Sequence, residues 1–189
     1  MMRSVRLLVL IGMLGAAAFV LMATIQIPVL PSAPYLRYDP SDVIGLIAAA
    51  IAGPVAGVAV VALKDALYLI FRARSFFGPL ANFVAVATFV GVAGWVLRGR
   101  PLTLSMLVAA CAAGALARVF VMIPANFIIL NLQFGMPASR VAELVWPVII
   151  PFNTLASVIN TVLTAMVLLA FRKRGVTSMM TYLRGVERR

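Results

Sequence analysis

Four polar side chains stand within otherwise apolar stretches of this sequence and could bind a ligand: Asn82, Asn126, Asn153 and Lys64. An amide side chain offers two N–H donors and an oxygen acceptor, so a group of amides suits a neutral polar molecule. An ionisable side chain in an apolar span is a candidate functional group that needs a partner. The competing interpretation is structural, because asparagines also join helices by hydrogen bonds within membranes.

The other chemistry-bearing residues do not suggest a catalytic site. The sequence has no histidine and a single cysteine, Cys111, which excludes disulfides, Cys/His metal sites and His-activated nucleophiles within one chain. The five carboxylates are not spaced as paired acids or metal ligands, and the sequence has no phosphate-binding loop of the Gly-Lys-Ser/Thr type. We therefore predict no catalytic residue, metal or cofactor, so any ATP hydrolysis must come from a partner.

The composition indicates a protein that lies in a lipid bilayer. Of the 189 residues, 64% are hydrophobic and only 11% are charged, and the mean hydropathy is +1.11. Soluble domains are nearer half apolar and a quarter charged. The net charge of +11 does not indicate nucleic-acid binding, because the basic residues lie between the apolar runs and not on one solvated face.

Six apolar segments predict six helices in a single all-α membrane domain over residues 1–189. The predicted helices cover about residues 5–26, 41–52, 55–71, 77–97, 103–130 and 141–171, and a basic tail follows over 172–189. Because Gly53-Pro54 separates the second helix from the third, these two are predicted to form a short hairpin. The first segment resembles a signal peptide but has no clear cleavage site, so we expect it to be retained.

The basic residues predict the orientation of the helices in the membrane. Six spans put both termini on one side, which would hold ten basic residues, against four on the other. The ten are Arg3, Arg6, Arg98, Arg100, Arg172, Lys173, Arg174, Arg184, Arg188 and Arg189, and the four are Arg37, Arg72, Arg74 and Arg140. Positive residues concentrate in cytoplasmic segments, so both termini of this multi-pass cell-membrane protein are predicted to be cytoplasmic.

This topology places the three asparagines at a similar depth in the outer half of the bundle. Asn82 lies about five residues into the predicted fourth helix, or about 8 Å. Asn126 lies about five residues before the end of the fifth helix, and Asn153 lies somewhat deeper in the sixth. Three amides at comparable depth favour a shared ligand pocket over separate helix contacts.

Two further ionisable residues lie within the predicted spans. Asp65 in the third helix and Arg118 in the fifth are expected to form a structural ion pair. Lys64 lies on a different face of its helix from Asp65, so it could reach the pocket or extend towards the membrane surface.

Gly12 and Ala16 place two small residues four positions apart in the first helix. Small residues at this spacing let another helix approach closely. The pattern predicts a contact with either another helix of the bundle or a separate membrane subunit.

Several segments together resemble the RibU-type riboflavin-binding subunits of energy-coupling-factor (ECF) transporters. Residues 36–43 (Leu-Arg-Tyr-Asp-Pro-Ser-Asp-Val) and 52–57 (Ala-Gly-Pro-Val-Ala-Gly) are similar to the first loop and the following helix hairpin of that family. Residues 78–83 resemble the start of its fourth helix, and Asn126 and residues 151–153 resemble parts of its fifth and sixth helices. The resemblance covers about residues 7–171.

The resemblance implies a six-helix fold that binds a vitamin near its external face. Riboflavin is the expected vitamin. It also implies a transmembrane coupling subunit, met through a motif like that of Gly12 and Ala16, and two cytoplasmic ATPase subunits. Family members often carry a lysine one turn after the sixth-helix asparagine, where this chain has Ala156 and lacks that donor. Aromatic residues near the external side could contact a flavin ring: Tyr35, Tyr38, Phe76, Phe83, Phe127 and Phe152.

Two other functions remain open from the sequence. The first is the binding of a different vitamin or precursor by the same fold, and the second is a ligand-free membrane scaffold of the cell-shape kind. A scaffold has no need for three amides in one cavity, so the positions of Asn82, Asn126 and Asn153 distinguish these classes.

Overall fold

The computed structural model describes residues 2–31, 33–34 and 36–173, with side chains from Val5 to Phe171. Tyr35 and residues 174–189 of the predicted basic tail lie outside the described residues, whereas Arg172 and Lys173, which begin the predicted tail, belong to the last helix. The elements in chain order are α1 (Met2–Thr24), β1 (Ile27–Pro28), β2 (Arg37–Tyr38), α2 (Asp42–Phe71), α3 (Phe77–Leu97), α4 (Leu104–Phe134), α5 (Ala138–Leu144), a π-helical turn (Val145–Ile149) and α6 (Ile150–Lys173). This is the all-α membrane class that the sequence predicts, and five of its helical segments are long and apolar enough to cross a membrane.

The helix α2 reverses direction in its middle. Its backbone leaves the helical conformation at Ala52 and Gly53, and Gly53 has a φ of 84°, which favours glycine. Lys64 Nζ lies 2.7 Å from Asp42 Oδ1, although 22 residues in a straight helix would span about 33 Å. The predicted count of six helices is therefore off by one, because residues 42–71 form one element whose two arms, residues 42–51 and 54–71, lie side by side.

The first arm of α2 has about ten residues, which at 1.5 Å per residue reaches about half of the 30 Å hydrocarbon core. The second arm ends at Phe71, at the end of the bundle that we call the loop end, and the first arm starts about 10 Å deeper, because Asp42 lies beside Lys64. The end of α1 is there too, since Gln26 Nε2 donates a hydrogen bond of 2.8 Å to the Tyr68 hydroxyl. The antiparallel pair of β1 and β2, with Ile27 opposite Tyr38, connects α1 to α2 at this end.

The opposite end of the bundle, which we call the far end, is apolar and closely packed. Leu97 at the end of α3, Leu107 near the start of α4 and Leu168 late in α6 belong to one buried cluster. A Cβ atom on Gly57 would lie 2.5 Å from Ala49 Cβ, so the arms of α2 approach more closely than a side chain there would permit. Cys111 is buried in the same cluster, as expected for a small packing residue.

The last two spans differ in detail from the predicted ranges. The predicted helix over 103–130 is α4, which starts after Thr103, whose side chain accepts a hydrogen bond of 3.2 Å from Met106 N, and ends before Gly135. The predicted helix over 141–171 begins earlier, as α5, and passes through the π-helical turn before α6. Pro147 lies in that turn and Pro151 follows it, and neither can donate the regular helical hydrogen bond.

Candidate functional site

A cavity of about 170 Å³ lies between α3, α4 and α6 at the loop end. The predicted asparagines Asn82, Asn126 and Asn153 all line it, together with Phe152. The structure thus brings together four of the ten residues that the sequence offers for ligand contact. The remaining walls are mostly apolar, with Ala85 and Ile129 among them, as in sites that hold a flat, partly polar molecule.

Each of the three amides is held by the protein through its nitrogen. Asn82 Nδ2 donates to Asp65 Oδ1 at 2.9 Å, which joins α3 to α2. Asn126 and Asn153 each donate to a backbone carbonyl four residues earlier in their own helix, at 2.7 and 2.8 Å. Of the three, Asn82 and Asn153 also make a side-chain hydrogen bond to another helix, whereas the hydrogen bond that the Asn126 side chain makes stays within α4.

Beneath the cavity lies a buried ionic network. Lys64 Nζ lies 2.7 Å from Asp42 Oδ1 and 3.9 Å from Asp65 Oδ1. Arg118 Nε donates to Asn153 Oδ1 at 2.9 Å, and Arg118 Nη1 lies 3.9 Å from Asp42 Oδ2. The predicted ion pair of Asp65 with Arg118 is therefore wrong, because Asp65 binds Asn82 and Arg118 faces the first arm of α2 and α6.

Two predicted site residues, Lys64 and Tyr38, belong to this network and not to the cavity wall. Lys64 is 1% exposed and held by Asp42. The Tyr38 hydroxyl donates to Asn160 Oδ1 at 2.8 Å, and Asn160 Nδ2 donates to Asp42 Oδ2 at 3.3 Å. Burial, with the nearby carboxylates of Asp42 and Asp39, raises the pKa of Tyr38 above its ordinary value, so its phenol stays a neutral donor.

The loop before α2 adds a further carboxylate to the network. Asp39 is buried, and its Oδ1 accepts hydrogen bonds from the backbone N–H of Ser41, at 3.0 Å, and from the Ser41 hydroxyl. Burial raises the pKa of Asp39, while the cation of Lys64 opposes that rise. Among the described residues, no three His, Cys, Asp or Glu side chains are grouped to hold a metal ion.

A second, larger crevice of about 800 Å³ adjoins the cavity towards the surface. Its wall carries three arginines, Arg37, Arg72 and Arg74, and none of its lining residues has a carboxylate. Arg37 and Gly78 line both spaces, so the cavity and the crevice adjoin at these two residues.

Sequence reasoning missed Arg37 and Arg118 as cavity residues. Arg118 could have been found, because an arginine in a helix as apolar as α4 needs a polar surrounding, but its partner could not be read from spacing. Phe76, Phe83 and Phe127 are not among the lining residues, and Ala156 is buried one turn beyond Asn153 without lining the cavity.

The predicted partner-interface residues lie on an outward face of α1. A Cβ atom on Gly12 would meet no atom within 4 Å, and Ala16 is exposed. By contrast, a Cβ atom on Gly15 would lie 2.5 Å from a side-chain atom of Leu63, so Gly15 is the small residue that packs inside the bundle. The face with Gly12 and Ala16 is open to lipid or to another protein.

Apolar helices of membrane length that enclose a largely apolar cavity with a few polar side chains are typical of a multi-pass membrane protein that binds a small molecule. The comparisons with known proteins identify which kind. The chain belongs to the family of substrate-specific components of ECF transporters, whose family model matches residues 6–168. The predicted family is confirmed, and the chain is the substrate-binding membrane subunit of an ECF-type vitamin importer.

Two curated relatives and one solved structure illustrate this membership. The chain is 34% identical over 160 residues to the riboflavin transporter RibU of Staphylococcus aureus (strain TCH60), covering 80% of this chain and 82% of that protein. It is 30% identical over 183 residues to the riboflavin transporter FmnP of Bacillus subtilis (strain 168), covering 89% and 93%. A solved S component of a bacterial ECF transporter matches with a TM-score of 0.78 and 31% identity, over 92% of this chain and 98% of that one.

Proposed function

We propose that this subunit captures riboflavin in the cavity between α3, α4 and α6. The observation that carries the proposal is that Asn82, Asn126 and Asn153 line one cavity together with Phe152. Amides that can donate and accept suit the carbonyl and imide groups of a flavin, and an aromatic wall suits its ring. The names of both curated relatives support the same ligand.

The flavin ring occupies the inner cavity, and the ribityl chain extends into the outer crevice. At about 170 Å³ the inner cavity is smaller than the roughly 300–1,000 Å³ of most small-molecule sites, so the whole vitamin needs both spaces. The crevice supports this division, because Thr24, Gln26 and Ser75 offer polar groups to the hydroxyls of the chain.

Replacing Asn126 by Ala tests the ligand role most cleanly. We expect the affinity for riboflavin to fall by roughly 1–3 kcal/mol, because a desolvated polar group of the ligand loses its partner. Asn131→Ala is the matched control, since Asn131 is exposed on the same helix and does not line the cavity. Calorimetric titration of the two detergent-purified variants with riboflavin measures the affinity of each. A helix-joining role would instead lower thermal stability and leave the affinity unchanged.

We infer that uptake requires partner subunits. A transmembrane coupling subunit docks on the face of α1 that carries Gly12 and Ala16, and two cytoplasmic ATPase subunits attach to the coupling subunit. A bulky residue there blocks close helix approach. Ala16→Leu should therefore abolish most uptake in the assembled transporter, while riboflavin binding by the isolated subunit stays normal. Ala112→Leu, which adds the same bulk at an exposed position of α4, is the control and should leave uptake unchanged. Loss of binding by isolated Ala16→Leu would place this face inside the bundle.

The loop end faces outward in this proposal, and both termini are cytoplasmic. In this proposal α1 starts and α6 ends at the far end, and the excess of basic residues near these helix ends supports a cytoplasmic far end. Ser139→Cys at the loop end, in a Cys111→Ala background, should react with a membrane-impermeant reagent on intact cells. Ser105→Cys at the far end should react only after the membrane is opened. The reverse pattern would overturn the orientation.

If the wild-type protein binds no flavin, a different vitamin becomes the preferred ligand. Three amides around one cavity also favour a ligand-binding protein over a ligand-free scaffold, which has no need for them.

A further inference from the structure

Arg118 is the one guanidinium that is both deeply buried and part of the cavity wall, among the side chains that the structure describes. It is 2% exposed and lies in the middle of α4. Its Nη1 makes no hydrogen bond with the described residues, and its nearest carboxylate oxygen, Asp42 Oδ2, lies 3.9 Å away. A buried donor without an acceptor costs free energy, so this nitrogen indicates a missing partner.

Of the two buried cations in the network, Lys64 is the one that lies closer to Asp42. Lys64 already pairs with Asp42 at 2.7 Å. The contact that fixes the guanidinium is the 2.9 Å hydrogen bond from Nε to Asn153 Oδ1, and Asn153 is in turn held to its own helix. With Nε anchored, the planar fork of Arg118 has a defined direction before any ligand arrives.

We propose that Arg118 is a specificity-determining residue that donates hydrogen bonds to an acceptor edge of the bound ligand. The inference rests on the proposed function, in which the ligand is riboflavin. The oxidised flavin has two acceptor edges, each made of a pyrimidine carbonyl oxygen and the unprotonated ring nitrogen near it: C2=O with N1, and C4=O with N5. A guanidinium presents several coplanar donors, which match such an edge better than a single amide does.

The charge of Arg118 has a second consequence for the bound flavin. A fixed cation beside the pyrimidine ring stabilises the extra negative charge that the ring gains on reduction. The bound flavin should therefore be easier to reduce in the wild type than in a variant without this cation. A residue that only held helices together would not change this property.

The test uses the whole purified subunit with riboflavin, 2-thioriboflavin and 4-thioriboflavin. Sulfur accepts hydrogen bonds more weakly than oxygen, so the wild type should bind at least one thio analogue less tightly than riboflavin. Arg118→Met should weaken riboflavin binding roughly 10- to 150-fold, as for loss of a hydrogen bond to a charged group. It should also lose the preference for riboflavin over that analogue. Arg140→Met makes the same change at an exposed arginine and should alter neither quantity.

Arg118→Lys keeps the positive charge and provides the test if the Met variant does not fold. It should bind riboflavin with intermediate affinity, because it lacks the planar fork, and its bound flavin should be reduced nearly as easily as in the wild type. A folded Arg118→Met with unchanged riboflavin affinity would overturn the proposal. Equal losses of affinity for riboflavin and both thio analogues in Arg118→Met would also overturn it. So would an Arg118→Lys variant that keeps the wild-type affinity for riboflavin and the wild-type preference for riboflavin over the thio analogue. A wild type that binds none of the flavins would overturn the riboflavin assignment first and this proposal with it.

Discussion

The two ends of the bundle have different roles, although the same helices form both. At the far end, small and branched apolar residues close the space between α2, α3 and α4, to the point where a Cβ atom on Gly114 would lie 2.6 Å from the Phe89 carbonyl oxygen. At the loop end, the same helices carry Asp42, Lys64 and Arg118 and leave a cavity open. One half is packed to be stable, and the other is kept open and polar to bind.

The difference shows where each kind of residue can be changed. Close packing at the far end tolerates little added volume. The loop end depends on partners for its buried charges, because removing one partner leaves the other uncompensated. Substitutions in the two halves should therefore differ in whether stability or ligand affinity responds.

The largest expected effect is the loss of Lys64. Lys64→Met leaves the buried carboxylate of Asp42 without its close partner, so the free energy of unfolding should fall by about 3–5 kcal/mol. The pair of Arg140 and Glu143 has a similar N–O distance, 2.9 Å, but both side chains are well exposed. Arg140→Gln should consequently change stability by less than about 1 kcal/mol. Thermal unfolding in detergent compares the two variants, and equal losses would contradict the role of burial.

A smaller effect is expected from added volume at the far end. Gly57→Val places new atoms against Ala49 and the Gly45 carbonyl oxygen, and should destabilise the protein by about 1–3 kcal/mol. Gly12→Val is the matched control, because a Cβ atom there meets nothing within 4 Å. Riboflavin titration of the folded fraction should give wild-type affinity for both variants. A loss of affinity in Gly57→Val would mean that the two halves are coupled.

Within the loop end, the inner cavity and the outer crevice should respond to different parts of the ligand. Gln26→Ala removes a polar group from the crevice and should weaken riboflavin binding by about 0.5–1.5 kcal/mol. Lumiflavin, which has the flavin ring without the ribityl chain, should bind the variant and the wild type equally. Calorimetric titration with both ligands checks this division, and a loss for lumiflavin would place the ring in the crevice.

The smallest effect concerns the pH dependence of stability. The pKa of Asp39 is higher in the folded protein than in the unfolded chain, where it is about 4. Protonation of Asp39 therefore stabilises the fold fully below about pH 4. This stabilisation is lost as the pH rises through the pKa of the folded protein. Asp39→Asn keeps an oxygen that can accept from Ser41 but cannot ionise. The variant should match the wild type near pH 4 and melt at a higher temperature than the wild type at pH 8. A constant difference between their melting curves over this range would refute the assignment to Asp39.

Much of this arrangement could be predicted because it follows from position along the chain. Apolar length gives the spans, Gly53-Pro54 gives the reversal within α2, and depth along the helices brings Asn82, Asn126 and Asn153 to one level. What spacing does not give is the direction in which each helix face points. The partners of Lys64 and Arg118 depend on that rotation, which only the packing of the helices sets.

The fold-back of α2 also has a consequence for how the protein is made. Its first arm is too short to hold its place across the bilayer alone, and Asp42 is unfavourable in lipid until Lys64 is beside it. During synthesis Lys64 is added only 13 residues after Ile51, the last residue of the first arm. We therefore expect the two arms to leave the insertion machinery as one unit, once the second arm has emerged.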